Sequence, residues 1–466
     1  MHHLSLRALL SLVLLPFLGM AQAATVPATY QLPPAAVAEA INAVKGDPLH
    51  YAAGLPTNLD TDDGSWDEPV RGVARWRLQL ESQGASSLSL RLEDLRLPQG
   101  ATLRWIGNGG GGDQQGPFGP ADDGMLSLPV VRDHRGLLEA RMPATARAQF
   151  GLRIAEAYHG YRAFGVDAAI AKGQFGQSGS CNIDSSCSDG DAWRQQIRSV
   201  VLLSIDNSVL CTGNLVNNTA QNGRALILTA NHCGIRSSND ETVIAYFNVA
   251  RPCSCPQLQG RVDQNIRGAT FRARDDQSDY TLFELASVPP SSFNPFYSGW
   301  DASGTAPQSG VSIHHPSGDD KKISTYTSTA VPVEDQPVAD FFVDAWEVRW
   351  ARGTTEQGSS GAGLWNQQRR LVGVLSGGTA RCSNSGGSDY FGRLDRAWTA
   401  GLREQLAPGS SALTLDGLER GSEPPAPTCP VPGSDGGGGG ALPPLLLAGL
   451  LAAALLRRRG PSADRR

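Results

Sequence analysis

The chain alternates apolar and polar residues with the two-residue period that is typical of half-buried β-strands. In its first part, residues 74–80 and 88–92 follow this alternation, and residues 97–101 indicate a turn between strands. In its second part, short apolar runs recur between clusters of Gly, Pro and Asn, at residues 199–204, 225–229, 242–247, 280–285 and 371–375. Because no long amphipathic helix separates these runs, the pattern predicts an all-β sandwich or barrel.

Both ends of the chain carry export signals. Arg7, an apolar run at residues 8–20 and a small-residue cleavage site predict a signal peptide over residues 1–23. Near the other end, Gly436–Gly440 precedes an apolar run at 441–456 and an Arg cluster. This order resembles bacterial GlyGly-type sorting tails, which a rhomboid-like membrane protease removes, and a plain membrane anchor over 441–466 is the alternative. Either interpretation predicts a secreted or cell-surface protein.

Charge narrows the range of functions. The 466 residues include 40 Lys and Arg against 45 Asp and Glu, which gives a formal net charge of −5. A strongly basic nucleic-acid-binding protein is therefore excluded, because its binding face needs a large excess of cations. The hydrophobic content of 40% is sufficient for a buried core.

The cysteines separate two differently built blocks. All of them follow residue 180, at positions 181, 187, 211, 233, 253, 255, 382 and 429. We assign residues 24–172 to a small β-rich domain, 173–420 to a second domain and 421–440 to a Pro- and Gly-rich linker. An even number of cysteines in an exported chain favours disulfides. Zinc is a weak alternative, because Cys253 and Cys255 have no second Cys pair or His motif beside them.

Three side chains of the second block have the chemistry needed for nucleophilic catalysis. His232 follows an apolar strand and precedes Cys233, whose disulfide would fix the loop. Asp279 stands at the entrance of another apolar strand. Ser360 lies among small residues, where the N–H groups of Gly358 and Ser360 can form an oxyanion hole. The order His–Asp–Ser is that of chymotrypsin, and differs from the orders of α/β-hydrolases and subtilisins.

A more specific signal comes from six segments of the second block, at residues 179–184, 211–219, 228–233, 314–316, 358–363 and 388–393. Together they resemble the bacterial lysyl endopeptidases, which are serine proteases with the trypsin fold. Residues 90–105 and 159–165 are similar to the propeptide of that family. The resemblance implies a trypsin-like double β-barrel at 173–420, preceded by a β-rich propeptide domain at 24–172.

The same resemblance assigns roles to single residues. It implies His232 as general base, Asp279 as the residue that orients it and Ser360 as nucleophile, with no metal or cofactor. It also implies disulfides between Cys181 and Cys382, between Cys211 and Cys233, and from Cys187 to either Cys253 or Cys255. Cys429 and the unused member of that last pair are left to bond each other.

Substrate preference follows from the resemblance as well. Asp389 corresponds to a carboxylate at the bottom of the primary pocket, which favours a cationic P1 side chain. Ser376, Gly377 and Gly378 are implied as further substrate-binding residues, and Ser376 stands where a family member has His. Ser359 stands where trypsin has Asp, so the ion pair that activates trypsin zymogens cannot form.

The expected function is therefore a secreted serine endopeptidase that cleaves after Lys, with cleavage after Arg left open. Its expected partners are protein and peptide substrates with Lys at P1, its own propeptide and a C-terminal sorting protease, and no nucleic acid. The alternative is a catalytically inactive, surface-displayed binding module with the same fold. An esterase is disfavoured by the order of the three residues.

Lysine is scarce in this chain, which contains only Lys45, Lys172, Lys321 and Lys322. The expected mature enzyme keeps only the last two, as an enzyme that resists its own activity would. A GC-rich genome that favours Arg explains the scarcity at least equally well. Lys172 is well placed for autocatalytic removal of the propeptide.

Overall fold

A computed structural model of the chain describes residues 26–108, 112–122, 124–162, 178–253, 255 and 258–421. The predicted signal peptide, the C-terminal tail, all but one residue of the linker, Lys172 and Cys429 lie outside these residues. Within the described ranges, no helix combines the length and the apolar composition that crossing a bilayer requires.

The first block folds into ten strands and one longer helix within its described residues. The helix is α1 (Pro34–Val44). The strands are β1 (Ala28–Gln31), β2 (Ala52–Asp60), β3 (Ser65–Val70), β4 (Val73–Glu81), β5 (Ser87–Arg96), β6 (Thr102–Gly107), β7 (Gln114–Phe118), β8 (Gly124–Ser127), β9 (Arg135–Pro143) and β10 (Gly151–Gly160). Short 3₁₀ turns occur at Thr61–Asp63, Pro120–Asp122 and Ala144–Gln149.

These strands form a two-sheet sandwich, which we call the N-terminal sandwich. One sheet has the order β1-β4-β9-β6-β7, with β3 on β4, and the other has the order β2-β10-β5-β8. The alternation in β4 places Trp76, Leu78 and Leu80 on the inner face, where each is at most 1% exposed. Trp105 joins the same core. The strands predicted at 74–80 and 88–92 are therefore β4 and β5.

The second block is also built of strands, with only short helices in its described residues. The helices are α2 (Arg194–Ile197), α3 (Leu394–Ala397) and α4 (Arg403–Leu406), with a π turn at Trp398–Leu402 and 3₁₀ turns at Ser188–Trp193, Asn231–Cys233, Asp240–Thr242, Ser291–Phe293 and Pro316–Gly318. The strands are β11 (Ile183–Asp184), β12 (Val200–Ile205), β13 (Val209–Val216), β14 (Leu226–Ala230), β15 (Ile244–Phe247), β16 (Asn265–Arg267), β17 (Ala269–Asp275), β18 (Tyr280–Leu285), β19 (Phe296–Tyr297), β20 (Trp300–Asp301), β21 (Gly310–His314), β22 (Lys322–Tyr326), β23 (Val331–Val338), β24 (Phe341–Val348), β25 (Gly363–Asn366), β26 (Leu371–Gly378), β27 (Asp389–Arg393), β28 (Thr414–Leu415) and β29 (Leu418–Glu419).

Two large sheets give this block the predicted double-barrel architecture. The first has the order β16-β15-β12-β13-β14-β18-β17, and the second has the order β11-β22-β21-β25-β26-β27-β24-β23. A shared core containing Leu228, Leu282, Trp300 and Trp365 joins the two sheets. The all-β fold predicted from the apolar runs is confirmed, and each predicted run overlaps a strand.

Three disulfides occur among the described cysteines. They join Cys181 to Cys382, Cys211 to Cys233 and Cys187 to Cys253. The sequence left open whether Cys187 pairs with Cys253 or Cys255, and in the structure it pairs with Cys253. Two of these bonds lie beside the segments of greatest chemical interest, since Cys233 follows His232 and Cys382 lies between β26 and β27.

Candidate active site

Paired strands bring His232 and Asp279 together. Ala230, the last residue of β14, pairs with Tyr280, the first residue of β18, so the residues beyond these ends are neighbours. Asp279 Oδ2 lies 2.8 Å from His232 Nδ1, and Oδ1 accepts the backbone N–H of His232 at 2.9 Å. Since a carboxylate only accepts hydrogen bonds, Nδ1 carries the proton and Nε2 is left as the basic nitrogen. The Asp279 side chain is buried, and its backbone adopts a positive φ of 47°.

The loop that carries Ser360 lies directly against this pair. The N–H of Thr212 in β13 donates to the Ser360 carbonyl at 2.8 Å. The sulfur of Cys233, adjacent to His232, lies 3.9 Å from the same carbonyl oxygen. In the described chain no hydrogen bond joins His232 Nε2 to Ser360 Oγ, which is common in the absence of substrate. The three candidate residues are nevertheless brought to one place by β13, β14 and β18.

Unpaired N–H donors lie beside Ser360. Within the described residues, the backbone N–H groups of Gly358 and Ser360 donate to no protein acceptor. Gly358 has a φ of +86°, and a Cβ there would come within 3.0 Å of the His315 carbonyl. The loop therefore needs Gly at this position, and it leaves two free donors next to the hydroxyl, as an oxyanion hole requires.

Buried hydrogen bonds between uncharged side chains hold the Ser360 loop on its interior side. His314 Nδ1 lies 2.8 Å from Ser359 Oγ, and its Nε2 lies 3.1 Å from Ser324 Oγ. Complete burial lowers the pKa of His314 to about 3, so the ring is neutral at ordinary pH. Ser359 thus receives from an uncharged imidazole the anchoring that trypsin obtains from an ion pair.

Two polar residues of β13 also support this loop, and sequence reasoning gave them no role. Thr212 Oγ1 donates to the Gly358 carbonyl at 3.0 Å. Asn214 Nδ2 donates to the Gly361 carbonyl at 2.8 Å, while its Oδ1 accepts the Gly363 N–H at 3.0 Å. Both side chains point from a strand into an otherwise apolar interior, a pattern that could have marked them in the run at 211–219.

Asp389 is the buried first residue of β27 and lies beside the end of β26. Its Oδ2 accepts hydrogen bonds from Trp350 Nε1 at 2.6 Å and from Thr355 Oγ1 at 2.7 Å. The side chain is 1% exposed, and no described cation forms an ion pair with it. Burial, opposed by these hydrogen bonds, raises the pKa of Asp389 to about 6. An ionised carboxylate without a cation is an unfavourable group to bury, which is typical of a site that awaits a positively charged ligand.

The last residues of β26 pack beside the Asp389 carboxylate. Gly378 pairs with Asp389 across the sheet, and a Cβ on Gly378 would fall 2.2 Å from Asp389 Oδ1. Gly377 has a φ of +149° and packs close to Val338, at the end of β23. The Ser376 hydroxyl is buried and has no partner among the described groups. Gly377, Gly378 and Asp389, which the resemblance implied as substrate-binding residues, therefore lie close together.

An aromatic ring that sequence reasoning missed covers His232. Phe341, the first residue of β24, stacks on the imidazole with a centroid distance of 5.4 Å and an interplanar angle of 24°. The following residue, Phe342, is 60% exposed. Because Phe341 reaches His232 from the other sheet, no local signal in the sequence pointed to this contact.

Comparisons with known proteins show the family of this chain. Residues 175–392 match the family model described as lysyl endopeptidase, C-terminal domain. Over 374 aligned residues, the chain is 30% identical to the lysyl endopeptidase of Pseudomonas aeruginosa. The alignment covers 74% of this chain and 79% of the relative. The chain belongs to the lysyl endopeptidase family. It is therefore a serine endopeptidase that acts on proteins or peptides.

Solved structures of other proteases resemble this lysyl endopeptidase family member more distantly. The active form of the Rv3671c protease from M. tuberculosis is 15% identical, covers 52% of this chain and 95% of its own, and gives a TM-score of 0.33. The HtrA-type protease AlgW with a tripeptide is 14% identical, covers 48% of this chain and 65% of its own, and gives a TM-score of 0.34.

The stacked ring of this lysyl endopeptidase family member yields a first prediction. Phe341→Ala is expected to lower kcat roughly tenfold with little change in KM, because an aromatic contact worth about 0.5–1.5 kcal/mol no longer orients the imidazole. Steady-state kinetics on a peptide anilide measures both constants. Phe342→Ala is the matched control, since its exposed ring does not stack on His232. Equal losses of kcat in the two variants would contradict this role of Phe341.

Proposed function

We propose that this protein is an exported endopeptidase that cleaves on the carboxyl side of Lys, with His232, Asp279 and Ser360 as its catalytic residues. The observation that carries the proposal is the buried carboxylate of Asp389, which has no cation of its own among the described residues. A lysine ammonium group at P1 would supply the missing positive charge and gain a charge-assisted hydrogen bond.

The distribution of lysines supports Lys over Arg as the preferred P1 residue. Lys321 and Lys322 are 1% and 2% exposed, and the Lys321 ammonium donates to the Ile197 carbonyl at 2.7 Å. The two lysines of the proposed mature enzyme are therefore inaccessible to another copy of it, whereas arginines are common on its surface. The matching relative carries the name lysyl endopeptidase.

The proposed mechanism proceeds through an acyl-enzyme. Ser360 Oγ attacks the carbonyl carbon after P1 while His232 Nε2 takes the hydroxyl proton, and Asp279 stabilises the resulting imidazolium. The N–H groups of Gly358 and Ser360 stabilise the oxyanion. His232 then protonates the leaving amine, and a water molecule activated by the same imidazole releases the acyl group.

Maturation completes the proposal. The signal peptide at 1–23 directs export, and the propeptide at 24–172 is removed after Lys172. The tail at 441–466 holds the protein at the membrane until a sorting protease removes it. These steps follow from the sequence patterns at each position.

The test is the identity of the new C-termini in a digest. The secreted enzyme is incubated with an unfolded protein that contains similar numbers of Lys and Arg, and the products are identified by mass spectrometry. We expect almost every new C-terminus to be Lys. A majority of Arg termini would overturn the Lys preference, and termini without basic residues would remove Asp389 from the pocket.

A further inference from the structure

One lysine of the chain differs from the others in its exposure. Lys321 and Lys322 are buried in the catalytic domain, and Lys172 lies outside the described residues. Lys45 is exposed, directly after the last residue of α1. Among the described lysines it is therefore the one that a protease in solution can reach.

The helix that ends before Lys45 buries little of its surface. Within α1, Val37 is the one buried residue, and no side chain caps the start of the helix. The Lys45 ammonium donates to Asn42 Oδ1 at 2.6 Å, on the exposed surface. A Cβ built on Gly46 would meet no atom within 4 Å, so the bond after Lys45 lies in open space. A short helix with so little burial opens locally at low cost, which extended binding to a protease requires.

The segment after this bond lies against the candidate active site. The Leu210 N–H of β13 donates to the Leu49 carbonyl at 2.9 Å, and the Tyr51 N–H donates to the Ser208 carbonyl at 2.8 Å. Leu210 is two residues from Thr212, which binds the Ser360 carbonyl. A cavity of about 250 Å³ is lined both by residues 48–51 and by Gln357 and Gly358. Lys45 thus begins the segment that borders the Ser360 loop.

We propose that the Lys45–Gly46 bond is a self-cleavage site of this protease, so that the N-terminal sandwich is cut internally as well as at its end. This inference rests on the proposed cleavage after Lys. Ser360 Oγ bonds to the Lys45 carbonyl carbon, the C–N bond to Gly46 breaks, and the Gly46 amine takes the proton held by His232. One water then releases Lys45 as a carboxylate and restores Ser360.

Cleavage at Lys45–Gly46 weakens the contacts between the N-terminal sandwich and the catalytic domain. It cuts the covalent link to the segment of β1 and α1, which contributes Leu32 and Val37 to the sandwich core. It also places a new chain end three residues before Leu49, whose carbonyl binds Leu210. A strand end that is no longer continuous frays more readily, so the segment beside the Ser360 loop is released faster than in the intact chain.

Arg162 opposes this cleavage. Its guanidinium donates to the carbonyls of Lys45, at 3.4 Å, and of Pro48, and the neighbouring Tyr161 hydroxyl donates to the His50 carbonyl at 3.0 Å. These contacts hold the Lys45 turn in its folded shape. Arg162→Ala is expected to speed cleavage at Lys45–Gly46 roughly tenfold, because opening of the turn would no longer break the two hydrogen bonds from this guanidinium.

The experiment uses the full chain carrying Ser360→Ala as substrate and the active enzyme added in trans. Mass spectrometry follows the appearance of a chain that begins at Gly46. We expect this product from the Ser360→Ala chain, faster release from the chain that also carries Arg162→Ala, and none when Lys45→Ala is added. The bond between the exposed Arg71 and Gly72, in the turn between β3 and β4, is the internal control and should stay intact.

A synthetic peptide with the sequence of residues 41–50 separates the two hypotheses. If the peptide is cut after Lys45 but neither full chain is, the self-cleavage site is refuted and cleavage after Lys stands. If the peptide itself is not cut, cleavage after Lys fails, and this inference fails with it. Cleavage at Arg71–Gly72 as fast as at Lys45–Gly46 would refute the Lys preference.

Discussion

Ser360→Ala is expected to lower kcat by about 10⁶-fold, because the reaction loses its nucleophile while the fold is retained. The loop does not depend on the hydroxyl for its shape, since Ser360 is held by its carbonyl on the Thr212 N–H and the neighbouring Ser359 by His314. Residual hydrolysis above that in water would come from the oxyanion donors and from substrate binding. Hydrolysis of a lysyl peptide anilide, measured on the mature enzyme, gives the rate.

The control for this variant lies one residue away. Ser359→Ala removes a buried hydroxyl that contacts His314 but not the reacting atoms, so we expect a far smaller loss of kcat. A fluorophosphonate probe should label the wild type and the Ser359→Ala enzyme, and not Ser360→Ala. An enzyme that keeps more than about 1% of its activity without the Ser360 hydroxyl would disprove the acyl-enzyme mechanism. No labelling of the wild type would instead favour an inactive binding module.

Asp389→Asn is expected to reduce kcat/KM for a lysyl substrate by about 10²–10³-fold, because a buried charge pair that loses one partner costs about 2–5 kcal/mol. The loss should be confined to cationic P1 residues. A substrate with a neutral P1 side chain of the same length is therefore the control, since its hydrolysis requires His232 and Ser360 equally. Equal losses on the two substrates would show that Asp389 acts on the structure of the site rather than on specificity.

The same carboxylate predicts a pH dependence. Its pKa of about 6 means that the wild-type enzyme loses the negative charge of Asp389 as the pH falls below 6. The preference for the lysyl over the neutral substrate should therefore decline through this range. Taking the ratio of the two rates cancels any pH effect on the steps of the reaction that both substrates share. In Asp389→Asn the ratio should not change around pH 6.

Stability should show the opposite trend. Burial raises the pKa of Asp389 above its unfolded value, so its contribution to stability is present below about pH 4 and is lost as the pH rises through 6. Relative to Asp389→Asn, the wild type should lose on the order of 3 kcal/mol between pH 4 and pH 7. Denaturant unfolding of both proteins at several pH values measures this difference. The buried charge that we propose for substrate binding would thus lower the stability of the free enzyme.

The sequence predicted what local pattern controls. Alternation located β4 and β5, because a sheet with one buried face imposes the two-residue period on its residues. The apolar runs of the second block located strands such as β12 and β18, because both faces of these strands are covered. His232, Asp279 and Ser360 could be proposed as a site because each stands at a strand end or in a small-residue loop, where residue type and flanking residues together carry information.

The remaining features depend on contacts between distant segments. Phe341 reaches His232 from the facing sheet, and Cys187 selects Cys253 over Cys255, two residues away, through the folded path of the chain. The pairing of Ser359 with His314 joins positions 45 residues apart. In each case the partner is set by the packing of two sheets, and single-sequence patterns do not encode that packing.

The uncharged His314–Ser359 contact has a consequence for the inactive precursor that we propose. Because the Ser360 loop is held by groups inside the fold, no new N-terminal amine is needed to form an ion pair that shapes it. In that proposed form, latency would depend on access to Ser360 rather than on the shape of its loop. Residues 48–51 line a cavity together with Gln357 and Gly358 of the Ser360 loop, so bulky polypeptides and small acylating compounds would meet different barriers there.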